Sequence, residues 1–128
     1  MPQELSPRTA PWLEMLTPEV VVRLQANHVT QAPLKGTRNE RDFEPVCKLF
    51  LPWASGTWLL TEMEDDGLAF GLADLGFGTP ELGYISLDEI WEVKGPGGLR
   101  VERDIHWKAT KPLSQYATES RQLGYIPV

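Results

Sequence analysis

Two runs of strand length, Thr57 to Met63 and Leu68 to Leu75, are joined by the acidic turn Glu64-Asp65-Asp66-Gly67. Asp-Gly is a favoured hairpin turn, and both runs are rich in aromatic and aliphatic residues that suit a pleated surface. With a loop of two or four residues, Leu59, Thr61 and Met63 share a face with Leu68, Phe70 and Leu72, while Trp58, Leu60 and Glu62 lie over Gly71, Ala73 and Leu75. Both faces are then largely apolar, which places this hairpin at the centre of its sheet. Glu62 and Asp74 are the exceptions, because an acid buried near the end of an apolar strand needs a partner.

The rest of the chain supplies elements to pack on such a hairpin. Residues 1–12, with three prolines in the first eleven positions and no apolar period, read as a flexible arm, and residues 13–128 as one globular domain. Leu13, Leu16, Val20, Val21 and Leu24 recur at helical spacing, and Thr17-Pro18-Glu19 is a helix start, predicting a helix over about 18–27. Residues 29–44 are a long mixed-charge connection. Val46 to Phe50 and Leu82 to Ser86 read as strands, Leu99 to Trp107 as an imperfect edge strand, Ser86 and Glu89 as a capping box, and the segment after Pro112 as a short helix. The fold class expected is therefore α+β, a small mainly antiparallel sheet around the 57–75 hairpin with two or three short helices packed on it.

Charge is the second constraint. Between Leu49 and Val93 there are nine carboxylates and no Lys or Arg, within a chain of net charge −6. Such a surface repels phosphate backbones and attracts basic protein surfaces, so direct nucleic-acid binding is disfavoured and a protein partner with a basic surface is favoured. A single cysteine, Cys47, cannot form an internal disulfide, and it stands in neither a CxxC spacing nor near a histidine in sequence, so a structural role is expected. With no apolar run long enough for a membrane span, a cytoplasmic protein is the expectation.

Two chemistries compete for the acids. Glu62, Asp74, Glu81 and Asp104, with His106 as ligand or base, could converge on a divalent cation and activate water for phosphodiester hydrolysis. No metal-binding spacing such as HExxH accompanies them. The other reading needs no cofactor: Glu64, Asp65 and Asp66 form an exposed acidic edge for a partner, with Trp53 and Trp91 as aromatic anchors. Glycine-rich GFGTPELG lacks the lysine and the following helix of a phosphate loop, so nucleotide binding is not expected.

The ordered string KLF (Lys48 to Phe50), TWLLTE (Thr57 to Glu62), FGLADLG (Phe70 to Gly76), PELGYISLDEI (Pro80 to Ile90), GLRVERDIHWKAT (Gly98 to Thr110) and PLSQYA (Pro112 to Ala117) resembles a bacterial single-domain family. That family is catalogued only as a domain of unknown function and is common on conjugative plasmids and integrative elements. The resemblance implies a mobile-element setting and carries over no catalytic residue. Joined to the charge pattern, it leads to the expectation of a non-enzymatic accessory protein that inhibits a host defence complex, of the anti-restriction or anti-CRISPR type.

Overall fold

The computed structural model describes residues 10–128, so the expected arm lies outside the described residues as far as residue 9. From there the chain is already packed. Pro11–Met15 forms a 3-10 helix in which Trp12 is only 2% exposed.

The hairpin sits where its two apolar faces require. Strands β1 (Cys47–Phe50), β2 (Thr57–Met63), β3 (Leu68–Asp74), β4 (Glu81–Ser86) and β5 (Glu102–Arg103) form one antiparallel sheet in the order β4-β3-β2-β1-β5. On one face, Trp58, Leu60, Met63, Ala69 and Ile85 pack with Trp12, Met15, Leu16, Val20, Leu24, Leu87 and Ile90. The elements covering it are the 3-10 helix, α1 (Pro18–Gln31) and α2 (Leu87–Glu92). On the other, Leu59 and Leu72 pack with Leu113, Tyr116 and Ala117 of α3 (Leu113–Leu123) and with Ile126. The protein is thus an α+β fold with a helical layer on each side of a small sheet.

Facing within β2 differs from strict alternation. The register shifts between Leu60, which pairs with Gly71, and Glu62, which pairs with Phe70, so Thr61 is an extra residue. A bulge of this kind moves every following side chain to the opposite face. Met63 therefore joins Trp58 and Leu60 in the α1-side core, and Glu62 emerges beside Phe70 on the α3 side. Gly71 permits the distortion: a Cβ there would lie 1.9 Å from the Leu59 carbonyl oxygen. Thr61 donates its hydroxyl to the Phe70 carbonyl, and its own carbonyl accepts from Asn27 Nδ2 at 2.8 Å, so α1 takes over where β1 has ended.

Helix α1 begins as its sequence dictates, with Thr17 Oγ1 accepting from the Val20 amide and Pro18 in the first turn. It ends at Gln31 rather than near Asn27, because Gln31 has work to do there. Its side chain is buried and makes two hydrogen bonds with the Arg41 backbone, donating at 2.7 Å and accepting at 2.9 Å. The connection after α1 is consequently tied down. Asp42 accepts from the amide and hydroxyl of Ser114, and the Phe43 carbonyl accepts from Leu113, which together satisfy free amides at the start of α3.

The expected strand over 99–107 is reduced to Glu102–Arg103. Val101 is buried in the core, and at Asp104 the chain turns, the carboxylate accepting from the His106 amide. Ser86 caps α2 by accepting from the Glu89 amide, as the capping box predicts. No helix among the described residues is long and apolar enough to cross a membrane.

Candidate interaction site

The acidic turn between β2 and β3 is held against the 3-10 helix. Gly67, at φ +89, has its Cα so close to the Trp12 indole that a Cβ would lie 2.8 Å from the ring. The Gly67 amide donates to the Glu64 carbonyl, and its own carbonyl accepts from Leu87, which locks the turn to the start of α2. Asp66 closes the turn from within, Oδ1 accepting from the Leu68 amide at 3.1 Å. One of the three candidate partner-binding acids therefore has an architectural job. Glu64 is half-buried, and Asp65 is exposed.

Asp65 also lines a groove of about 450 Å³, bounded by Trp12, Leu13, Leu16, Pro18, Val21 and Val22, with Gln25 as a further polar group. The groove arises because the 3-10 helix meets α1 at the non-helical Leu16-Thr17 junction, leaving the outer flank of both unfilled. Val22, 63% exposed, points off the stripe that buries Val20 and Leu24. An apolar trough with a carboxylate at its rim can take an apolar side chain whose neighbour is basic. Asp65 is exposed, as its turn position predicts, but the floor beside it was not foreseen from the sequence. The available signal was the run Val20-Val21-Val22, which puts more apolar surface on α1 than one buried stripe needs.

The two tryptophans lie elsewhere, around the segment after α2. Trp53 packs its indole on Gly95, where a Cβ would come within 2.4 Å of the ring, and Trp91 stacks with the Arg100 guanidinium at 4.4 Å while its carbonyl accepts from the same group. Both are half-buried, and neither lines the Asp65 groove.

The proposed metal ligands are not brought together. Glu62 and Asp74 stand at opposite ends of the hairpin, since Asp74 pairs with Thr57, about 16 Å along β2 at the usual rise per residue. Glu81 is exposed on the β4 edge, and Asp104 follows β5 on the opposite edge, about 19 Å away at the usual strand spacing. His106 is an exposed turn residue next to Asp104. Among the described residues no three His, Cys, Asp or Glu side chains form a cluster that could hold a metal.

Each of these acids except Glu81 has a partner of another kind. Glu62, delivered to the α3 side by the bulge, meets Lys35 at 3.8 Å. Burial pushes its carboxyl above the ordinary range, with Lys35, His28 and Gln31 acting in the other direction. The same Lys35 ammonium lies 4.0 Å from the centre of the Phe70 ring, and Phe70 meets Tyr84 edge-on at 5.3 Å. Asp74 accepts from the Gly76 amide through Oδ1 and from the Ile126 amide through Oδ2, joining the glycine loop to the C-terminal segment. Burial alone would raise the Asp104 carboxyl, but the His106 amide and Lys48 at 3.4 Å together hold it below the ordinary range.

A second cleft, of about 490 Å³, lies between the β1–β2 turn, the glycine loop and the C-terminal segment, with Lys48, Phe50, Ser55, Asp74 and Tyr125 in its walls. Its cation is engaged by Asp104 and its carboxylate by two backbone amides. Cys47 is 3% exposed, and burial pushes its thiol up to about 12, which makes it a packing residue as its sequence context predicts.

Fold and surface together define a small antiparallel α+β protein whose acids serve the architecture on one side and rim an apolar groove on the other. The chain belongs to the family described as Protein of unknown function (DUF2958), whose family model matches residues 15–127. No curated protein and no solved structure matches it.

Proposed function

We propose that the chain is a non-enzymatic protein-binding module whose partner places an apolar side chain in the Asp65 groove and a basic surface against the acidic turn. The observation that carries this reading is the meeting of an exposed carboxylate, from a 49–93 stretch without a single base, with a groove walled by Trp12, Leu16, Pro18, Val21 and Val22. Buried aromatic and aliphatic anchors supply affinity, while rim charges speed encounter and select partners. Phosphate backbones would be repelled by the same charges, so the partner is a protein. In the mobile-element setting that the resemblance implies, the basic nucleic-acid-binding surface of a host defence complex, of the restriction or CRISPR type, meets this description.

The test compares the wild-type chain with Asp65→Lys and Val22→Asp, two surface changes that leave the core intact. Each is immobilised to capture proteins from a bacterial lysate, and binding is remeasured with the purified captured protein. The expected result is affinity about tenfold weaker for each variant, with a further loss when salt rises through the screening range. Equal capture by all three chains would end this reading.

A further inference from the structure

Strand β4 is the open edge of the sheet. Among the described residues it pairs with β3 alone, from Ala73↔Glu81 to Leu68↔Ser86, and none lies beyond it in the order β4-β3-β2-β1-β5. The ladder fixes which backbone groups are unused. The Leu87 amide donates to the Gly67 carbonyl, and antiparallel pairing alternates from there, so Glu81, Gly83 and Ile85 turn their amides toward β3. Leu82 and Tyr84 therefore direct their N–H and C=O groups outward. Natural edge strands are commonly blunted by lysine, proline or a bulge. Glu81–Ser86 has none of these.

The side chains along this edge are sorted by face. Leu82 and Tyr84 lie on the Phe70 side and are 39% and 61% exposed, so, with Tyr84 edge-on to Phe70, they present a largely exposed apolar pair beside the unused backbone groups. Glu81 lies on the other side, where Gly83 leaves open space: a Cβ at Gly83 would meet nothing within 4 Å. Asp88 and Glu89 stand exposed just past the far end of the strand, in the first turn of α2. The nearby base, Lys35, is held by Glu62 and Phe70 and also lies 5.4 Å from the centre of the Tyr84 ring.

We propose that β4 is a docking edge that takes an extended segment of a partner protein as a sixth strand, its apolar residues beside Leu82 and Tyr84 and its basic residues beside Glu81. Charge decides the occupant. A second copy of this chain would bring Glu81, Asp88 and Glu89 against the same three acids, each copy carrying net −6, whereas a basic strand meets opposite charge on a face left open at Gly83. The acids thus replace the missing lysine or proline as a guard against self-pairing, while admitting a basic strand. Strand addition draws affinity from main-chain hydrogen bonds and specificity from alternate side chains, and both are present here. The inference goes beyond the groove and does not depend on it.

The test uses the full chain and defined peptides. Acetyl-(Lys-Val)₃-amide, its acidic counterpart acetyl-(Glu-Val)₃-amide, and a basic version N-methylated at alternate residues are titrated while amide resonances are followed by NMR. The basic peptide should shift the Leu82 and Tyr84 amides and protect them from exchange, and the acidic one should leave them unmoved. N-methylation, which keeps charge and side chains but removes the hydrogen bonds along one edge of the peptide, should weaken binding by about tenfold or more. The same titration on Asp65→Lys should move Leu82 and Tyr84 as in wild type, which separates this edge from the groove. Equal binding of the N-methylated peptide, shifts confined to residues outside β4, or a homodimer formed through β4 at low salt would each overturn the proposal.

Discussion

Gly71 and Gly83 are cross-strand partners, and replacing each by alanine isolates what the β2 bulge requires. At Gly71 the new methyl would lie 1.9 Å from the Leu59 carbonyl oxygen, whereas ordinary contact begins at 3.4 Å, so β2 and β3 would have to part locally by 3.4 − 1.9, or 1.5 Å. A ladder hydrogen bond lengthened by that much is lost, at about 1 kcal/mol, and overpacking between two central strands adds about 2 kcal/mol. The sum of about 3 kcal/mol corresponds to a melting temperature lower by about 12 °C in a domain of this size. At Gly83 the methyl meets nothing, and the substitution reduces the freedom of the unfolded chain, for a gain of about 0.5 kcal/mol. Thermal and urea unfolding followed by circular dichroism measure both. If the two variants melt within about 4 °C of each other, the bulge does not rest on Gly71 as argued.

Further outcomes follow from the buried groups. Burial raises the Glu62 carboxyl above its ordinary 4.5, so its contribution to stability is complete below that value and is lost as pH rises through the folded-state value. Glu62→Gln should therefore melt higher than wild type at about pH 8, with the gain shrinking on acidification toward 4.5; a gain that grows on acidification would reverse the sign. Asp74→Asn keeps one acceptor but turns a donor toward a backbone amide, costing about 1–3 kcal/mol in urea unfolding and speeding exchange of the Ile126 amide; an unchanged Ile126 rate would remove Asp74 as the tie. The Cys47 thiol should be inert to a disulfide reagent in the native protein and react on the unfolded timescale once urea is added, and prompt native reaction would contradict its burial.

The parts of the fold legible in the sequence are those set by local pattern. The 57–63 and 68–74 strands, the α1 start at Thr17-Pro18 and the Ser86–Glu89 cap each depend on residues a few positions apart, and each is where its pattern places it. What could not be read depends on distant chain. The bulge needs Gly71 across the strand and Asn27 from α1, so strict alternation put Glu62 and Met63 on the wrong faces. The 29–44 connection is anchored by Gln31, Asp42 and Phe43 to partners with no signature in its own composition. Of the site, the exposed acid Asp65 was legible from its turn, whereas the groove beside it exists only after the 3-10 helix docks Trp12 against Gly67.

That dependence explains why the acid-rich stretch behaves as several separate devices. A carboxylate on β2 or β3 is buried by the helices on either side and must be neutralised locally, as Lys35 does for Glu62 and two backbone amides do for Asp74. Asp65 and Asp66 on the turn and Glu81 on the β4 edge remain in water, where the absence of bases between residues 49 and 93 leaves their field uncompensated by sequence neighbours. The buried set therefore costs or secures stability, whereas Asp65 and Glu81, which hold no part of the fold together, can be reversed in charge at little structural cost. Charge reversal at Asp65 and peptide titration at β4 address that exposed set directly, and their independence of each other is fixed by geometry: one reads a side chain at a groove, the other a row of backbone amides.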